Sequence, residues 1–249
     1  MTRPKYYGII PARYASSRFP GKPLAEIHGR PMFWHVYNRA SQCSELDHVA
    51  VATDDQRIYT AAKKLSVPVI MTANDHSSGT DRVYEAAIKL NVENNSVVIN
   101  IQGDEPALVP NMISQLIKPF SDPGIQVSTL ARVIDAGAAG NPDQVKVVLA
   151  KDGHAIYFSR AMVPYPRDDK KNKFYGHIGI YAFRMYTLKQ FVTLPTGHIE
   201  VIEKLEQLRL IENHIPIHVV ITRHKSFGVD RPEDIDKVSK LIDAMAYKK

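Results

Sequence analysis

Short apolar runs at residues 7–10, 48–52, 67–71 and 97–101 alternate with stretches of helical period at 31–43, 55–65 and 81–90. Strand and helix in alternation predict parallel strands joined by right-handed crossovers. The runs lack strict polar alternation, so their sheet is expected to be covered on both faces, in a doubly wound, mostly parallel α/β fold. Such sheets bind ligands in the crevice beyond the strands' carboxyl ends. The second half changes character: strand-like runs at 145–149, 178–183 and 217–221 surround a helical pattern over 198–211, and a last helix is expected to begin near Pro232. Residues 164–173 form a polar, proline-containing loop, long enough for a lid and equally readable as ordinary surface.

The chemistry lies after the runs. The first is followed by Pro11-Ala12-Arg13-Tyr14-Ala15-Ser16-Ser17-Arg18-Phe19-Pro20-Gly21-Lys22-Pro23-Leu24. Three cations among small residues suit a polyphosphate, because backbone N–H groups can approach an oxyanion, Arg gives forked contacts and Lys a point charge. It is not a Walker A loop: Ser16 stands where the first glycine belongs, and Pro23 replaces the Ser/Thr after Gly-Lys. No run is followed by GxGxxG, which removes the main support for a nicotinamide or flavin reading.

After the fourth run, Gln102-Gly103-Asp104-Glu105-Pro106 places a carboxylate at the strand's end. A divalent metal fits there, since magnesium needs only one or two protein carboxylates when substrate phosphates complete its shell. Gly228-Val229-Asp230 repeats the arrangement before the last helix, although an Asp in that place also serves as a cap. Asp75-His76-Ser77-Ser78-Gly79-Thr80-Asp81-Arg82 offers hydroxyls to a nucleotide, a cap to the next helix, or both.

Composition narrows the classes. A chain of 249 residues, 44% hydrophobic, can bury a sizeable core. Its single cysteine, Cys43, excludes an intramolecular disulfide and a cysteine-based zinc site, so cytoplasm is the default compartment. The first apolar stretch is cut short by Pro11 and Arg13, unlike a signal peptide, and no run is long enough to insert in a membrane. The net charge of +6 permits nucleic acid, but the basic residues are spread along the chain and carry no nucleic-acid-binding signature. No nucleic-acid partner is expected.

In order along the chain, the 11–24 segment, Ser78-Gly79-Thr80-Asp81-Arg82 and Asn100-Ile101-Gln102-Gly103-Asp104-Glu105-Pro106 resemble the motifs of the 3-deoxy-manno-octulosonate (KDO) cytidylyltransferases. The resemblance continues through Val145-Lys146-Val147-Val148, Tyr157-Phe158-Ser159-Arg160, His177-Ile178-Gly179-Ile180-Tyr181, Leu205-Glu206-Gln207-Leu208-Arg209 and Gly228-Val229-Asp230-Arg231-Pro232-Glu233-Asp234. It implies a Rossmann-like nucleotidyltransferase dependent on Mg2+. The enzyme would join CMP from CTP to KDO, releasing pyrophosphate, for lipopolysaccharide assembly.

By the same resemblance Arg13 and Lys22 hold the triphosphate with Arg18 nearby, Ser78, Thr80 and Gln102 border the cytidine, and Asp104 and Asp230 hold magnesium. Lys22, Arg13, Asp104 and Asp230 form the catalytic set. Arg160, His177, Tyr181, Glu206 and Gln207 would surround the sugar acid. Periodicity alone reads Glu206 as a solvent-facing partner of a cation on its own helix, Tyr181 as core strand and His177 as the opening of a strand.

Two departures from the family pattern, Gly176 where an arginine is common and Leu194-Pro195-Thr196-Gly197-His198-Ile199-Glu200 where proline-rich sequence is usual, keep the 8-amino-3,8-dideoxy analogue of KDO as an alternative acceptor. The resemblance also implies a homodimer. One domain spans 1–249, with a nucleotide-binding sublobe over 1–130, a smaller sugar-binding and dimerisation sublobe over 131–215 and a return to the main sheet over 216–249. The rival readings are a cytidylyltransferase for another sugar acid, a glycosyltransferase, which the basic loop disfavours, and a non-catalytic nucleotide-binding protein.

Overall fold

The computed structural model describes residues 3–15, 18–167 and 172–246. Ser16 and Ser17 of the basic segment, and 168–171 of the expected lid, lie outside the described residues. Contacts divide the chain into two compact units, one of Pro4–Ser114 with the chain from Ser226 on, the other containing Gln115–Lys225.

The first unit opens with β1 (Tyr6–Pro11), a short antiparallel pair β2 (Glu26–Ile27) and β3 (Arg30–Pro31), and α1 (Met32–Ala40). Then follow β4 (His48–Thr53), α2 (Gln56–Lys64), β5 (Val69–Met71), α3 (Gly79–Lys89), β6 (Val97–Asn100) and α4 (Pro110–Ile117), of which the residues up to Ser114 belong to this unit. Its strands run in the order β6-β1-β4-β5, all parallel, with Gly8 opposite both Val49 and Ile99. Ile9, Ile10, Val51, Val97, Val98 and Ile99 are fully buried, which is why these strands read as continuous apolar runs. The chain leaves β1 toward β4 and returns through α3 to β6 on the other side, so the order reverses at β1 and opens a crevice beyond its carboxyl end. The segments expected to carry chemistry follow the carboxyl ends of β1, β4, β5 and β6.

The second unit contains β7 (Val127–Ile134), α5 (Ala136–Ala139), β8 (Lys146–Leu149), β9 (Ala155–Ser159), β10 (Phe174–Arg184), α6 (Met185–Thr193), α7 (His198–Glu203), α8 (Leu208–Glu212) and β11 (Ile217–Ile221). Its strand order is β11-β7-β10-β8-β9, with β11 parallel to β7 and the other pairs antiparallel. The last helix, α9 (Asp234–Ala246), belongs to the first unit and starts two residues later than Pro232. Val238 of α9 joins Ile27, Met32 and Val229 in a buried cluster against which Phe19 packs, seating the 228–230 motif beside the basic segment.

The single helix expected over 198–211 is corrected to two. Lys204 takes a left-handed conformation (φ 54°) and ends α7, and the chain restarts as α8. The apolar spacing carries across the break, so periodicity could not show it. Arg209 on α8 reaches back to Glu200 on α7 through two hydrogen bonds of 2.6 and 2.8 Å, closing the pair. Strand β10 also extends further than the 178–183 run, with an irregularity between Ile178 and Tyr181. At Gly176, a β-carbon would lie 2.9 Å from Ile134 Cγ2 and 3.0 Å from the Gln144 amide, so a larger residue there requires those two side chains to shift. Among the described residues no helix is long and apolar enough to cross a membrane.

Candidate active site

In the first unit a cavity of about 260 Å3 is lined by residues from every segment expected to carry nucleotide chemistry, including Arg13, Arg18, Lys22, Ser78, Gln102, Asp104 and Asp230. Backbone pairing fixes its floor: the Val229 N–H donates to the Asp104 carbonyl at 2.8 Å, setting the two Asp-bearing motifs side by side. Lys22 Nζ donates to Asp104 Oδ2 at 2.7 Å and to the Val229 carbonyl at 2.9 Å. Its side chain is only 16% exposed, whereas Arg18, 2.9 Å from Asp230 Oδ1, is 64% exposed. Asp230 is therefore engaged with the basic segment, and α9 begins only at Asp234, whose carboxylate accepts from the Asp230 and Arg231 N–H groups. Burial, with the Asp104 charge adding to it, pushes the Glu105 carboxyl up to about 7.

Gly103 lets the β1 and β6 segments meet at this point. A β-carbon there would lie 2.4 Å from the Pro11 carbonyl oxygen, a contact that only backbone movement relieves. Gly103→Ala is expected to cost about 1–3 kcal/mol, read from urea unfolding, and to lower CTP turnover with it.

Ser78 caps the helix that follows it and also stands on the cavity wall. Its side chain caps α3 by accepting from the Asp81 N–H at 3.1 Å, the Asp81 carboxylate accepts from the Ser78 N–H in return, and the residue lines the cavity. Thr80 is placed differently: it is 4% exposed, its hydroxyl accepts from Asn100 Nδ2 at 3.3 Å, and it is not part of the cavity wall.

His76 and Arg82, given no role of their own in the sequence reading, do line the cavity. Arg82 is held by Asp54 at 3.0 Å and by Thr72 Oγ1 at 2.5 Å. His76 Nε2 is hydrogen-bonded to Glu85, which also accepts from the Ala73 N–H and pairs with Lys89 at 2.7 Å. Burial alone would raise the Glu85 carboxyl, but Lys89, His76 and the Ala73 N–H outweigh it and hold it down to about 2. A depressed carboxyl contributes stability that is complete above its ordinary value near 4.5 and lost as pH falls toward 2. Glu85→Gln is accordingly expected to shrink the fall in urea midpoint between about pH 5 and pH 3.

The five residues expected around the sugar acid all belong to the second unit. His177 lies within β10, not at its start, with Nε2 2.9 Å from Thr129 Oγ1 and its ring 5.4 Å from that of Tyr181. Burial pushes the imidazole down to about 3, so it is neutral at physiological pH. Burial, then the Glu206 charge, holds the Tyr181 phenol well above its usual range. Glu206 does not face solvent as periodicity allows: its Oε1 is out of contact with solvent, and Arg209 pairs with Glu200. Gln207 is 8% exposed. Arg160 donates to the carbonyls of Glu203 at 2.8 Å and Pro142 at 3.2 Å, and its own carbonyl accepts from the fully buried Lys146 ammonium at 2.6 Å.

Comparison with known proteins gives the same family. The family model described as cytidylyltransferase matches residues 7–221. The 3-deoxy-manno-octulosonate cytidylyltransferase of Nitratidesulfovibrio vulgaris (strain Hildenborough) is 59% identical over 241 residues, spanning 95% of each chain. That of Lawsonia intracellularis is 57% identical over 240 residues, 96% of this chain and 94% of its own. A solved structure described as CMP:2-keto-3-deoxy-manno-octonic acid synthetase complexed with CTP superposes with a TM-score of 0.92 at 42% identity, covering 97% of this chain and 99% of that one. The chain belongs to the cytidylyltransferase family, among the 3-deoxy-manno-octulosonate cytidylyltransferases.

Proposed function

We propose that the chain transfers CMP from CTP to the anomeric hydroxyl of KDO and releases pyrophosphate. The observation that carries this is the Lys22 ammonium, bound to Asp104 and to the Val229 carbonyl in a cavity that also holds Arg13, Arg18 and Asp230. Cations and carboxylates side by side suit a triphosphate and its counter-ion. The hydroxyl oxygen of the sugar acid forms a bond to the α-phosphorus as the bond to the pyrophosphate oxygen breaks, and the hydroxyl proton leaves to solvent. Lys22 and Arg13 neutralise charge as it moves onto the leaving pyrophosphate, and Ser78 and Gln102 border the nucleoside.

Asp104 and Asp230 fit a magnesium ion by donor type: two hard carboxylates on one cavity, with substrate phosphates left to complete the shell. Magnesium would supply Lewis-acid polarisation of the phosphates, and whether one ion or two serve is open to titration.

For the acceptor, Arg160 has five N–H donors of which the protein's own carbonyls take part, leaving the remainder for a carboxylate. Neutral His177, Tyr181, Glu206 and Gln207 offer hydrogen bonds to sugar hydroxyls. Glu206→Ala is expected to raise the KM for the sugar acid by about tenfold with little change for CTP, in steady-state kinetics. Exposed apolar residues of the second unit, Val133, Ile156, Val201 and Ile202 among them, support a homodimer through that unit, which sedimentation measures directly. A buried free thiol at Cys43 suits a cytoplasmic enzyme.

Pyrophosphate release from CTP and Mg2+ tests the reaction, with KDO, its 8-amino analogue and neuraminate as separate acceptors. Release is expected with KDO. A faster reaction with the 8-amino sugar would reassign the acceptor, and failure with all three by folded protein would overturn the proposal.

A further inference from the structure

Outside every motif used above, Arg57 makes three hydrogen bonds to one carboxylate. Its backbone N–H and Nε donate to Asp55 Oδ1 at 2.9 and 3.0 Å, and Nη2 donates to Asp55 Oδ2 at 2.6 Å. Asp55 is the N-cap of α2, so the guanidinium is fixed to the start of a helix seated on the sheet. A surface ion pair so close in sequence would ordinarily be dismissed as adding little. Here, however, the guanidinium has a further neighbour: its central carbon lies 3.3 Å from the centroid of the Tyr14 ring.

Tyr14 in turn closes the basic segment on itself. Its carbonyl accepts from the Gly21 N–H at 2.9 Å, and its ring lies so close to Gly21 that a β-carbon there would come within 3.1 Å of Cε2 and Cζ. Gly21 has φ 73°, a conformation that favours glycine and fixes the direction in which Lys22 leaves. Arg13 precedes the tyrosine and Lys22 follows the glycine, so the two cations assigned to the triphosphate flank the contact on both sides.

We propose that Arg57 is a positioning residue for the triphosphate loop: held by Asp55, it stacks on Tyr14, which packs on Gly21, so that the start of α2 sets the places of Arg13 and Lys22. The inference rests on the reading of this loop as the triphosphate site. Arg57 does not line the cavity. It acts by restricting the loop before the nucleotide arrives, so its loss appears in nucleotide binding and not in the chemical step.

The test is steady-state pyrophosphate release by the full chain, varying CTP and KDO separately. Arg57→Ala is expected to raise the KM for CTP about three- to fivefold, with the KM for KDO unmoved and kcat within about twofold. Arg57→Lys, which keeps the charge but not the planar stack and fork, should be impaired to the same degree. In a Tyr14→Leu background the Arg57→Ala change should add nothing more, because the contact it acts through is already gone.

An unchanged KM for CTP, full restoration by lysine, or an equal effect of Arg57→Ala in both backgrounds would each overturn the brace. Thermal melting of each variant confirms that folded enzyme is compared. If Lys22→Ala collapses turnover while Arg57→Ala does nothing, the brace alone fails. If the unaltered chain releases no pyrophosphate, the reading beneath it fails.

Discussion

Replacing Lys22 with alanine is expected to lower kcat by about two to three orders of magnitude, the size of effect seen when one preorganised charge-stabilising donor is removed. The side chain is 16% exposed and its ammonium is held by two acceptors, Asp104 Oδ2 and the Val229 carbonyl, so it is already in place before charge develops on the leaving pyrophosphate. Arg18 cannot replace it: that side chain is 64% exposed and occupied by Asp230, in an environment where a charge is worth far less. A purely structural tie makes a different prediction, because losing a bridge between the 22, 104 and 229 segments would be read as lost stability. Asp104 is 34% exposed and can regain water, so the melting temperature of Lys22→Ala should fall by only about 2–4 °C. Turnover within tenfold of the unaltered chain, or a melting temperature lower by much more, would remove Lys22 from the chemistry.

The parts of the fold that sequence patterning predicted are those in which burial decides residue type. Strands β1, β4 and β6 are fully covered at their centres, so they had to be continuous apolar runs. Strand β7 escaped for the opposite reason. It buries Ser128 and Thr129, whose hydroxyls donate to the carbonyls of Leu116 at 2.6 Å and Ile180 at 2.9 Å, and a strand that solves its polar burial by distant hydrogen bonds does not look apolar. The site divides in the same way. Clustered cations in 11–24 and Gly-Asp pairs were visible as residue types, because phosphate and metal chemistry demand those types. Which cation meets which carboxylate was not visible: Lys22 and Asp104 are 82 residues apart, and only the parallel register of β1 and β6 brings their loops together. His76 and Glu85 are nearer in sequence, yet their pairing depends on how α3 starts, which Ser78 and Asp81 set between them. The motif allows a cap, a nucleotide contact or both, and the structure shows the cap together with a place on the cavity wall, since Ser78 fixes the start of α3 where the helix N-terminus faces the cavity.

Asp104→Asn separates charge from shape at the same place. The amide keeps the volume of the carboxylate and leaves untouched the backbone pairing of residue 104 with the Val229 N–H, so the fold and the neighbouring motif stay in register. What is lost is one negative charge facing the Lys22 ammonium and one of the two carboxylates proposed to hold magnesium. Turnover is expected to fall by about two orders of magnitude or more, with a higher magnesium concentration needed for half-maximal rate. Activity alone would not distinguish a lost metal ligand from a displaced lysine, so CTP binding by calorimetry is the second readout. The unaltered chain should bind CTP more tightly with Mg2+ than without it, and the variant should show little difference between the two. If instead Asp104→Asn binds CTP normally with Mg2+ and fails only in turnover, the residue acts through Lys22, and the metal assignment passes to Asp230. Asp230→Asn is the control for that outcome: its side chain is 55% exposed and shares its charge with Arg18, so a smaller defect than that of Asp104→Asn is expected if both hold the ion. A larger defect would make Asp230 the principal ligand and leave Asp104 as the anchor of the catalytic lysine.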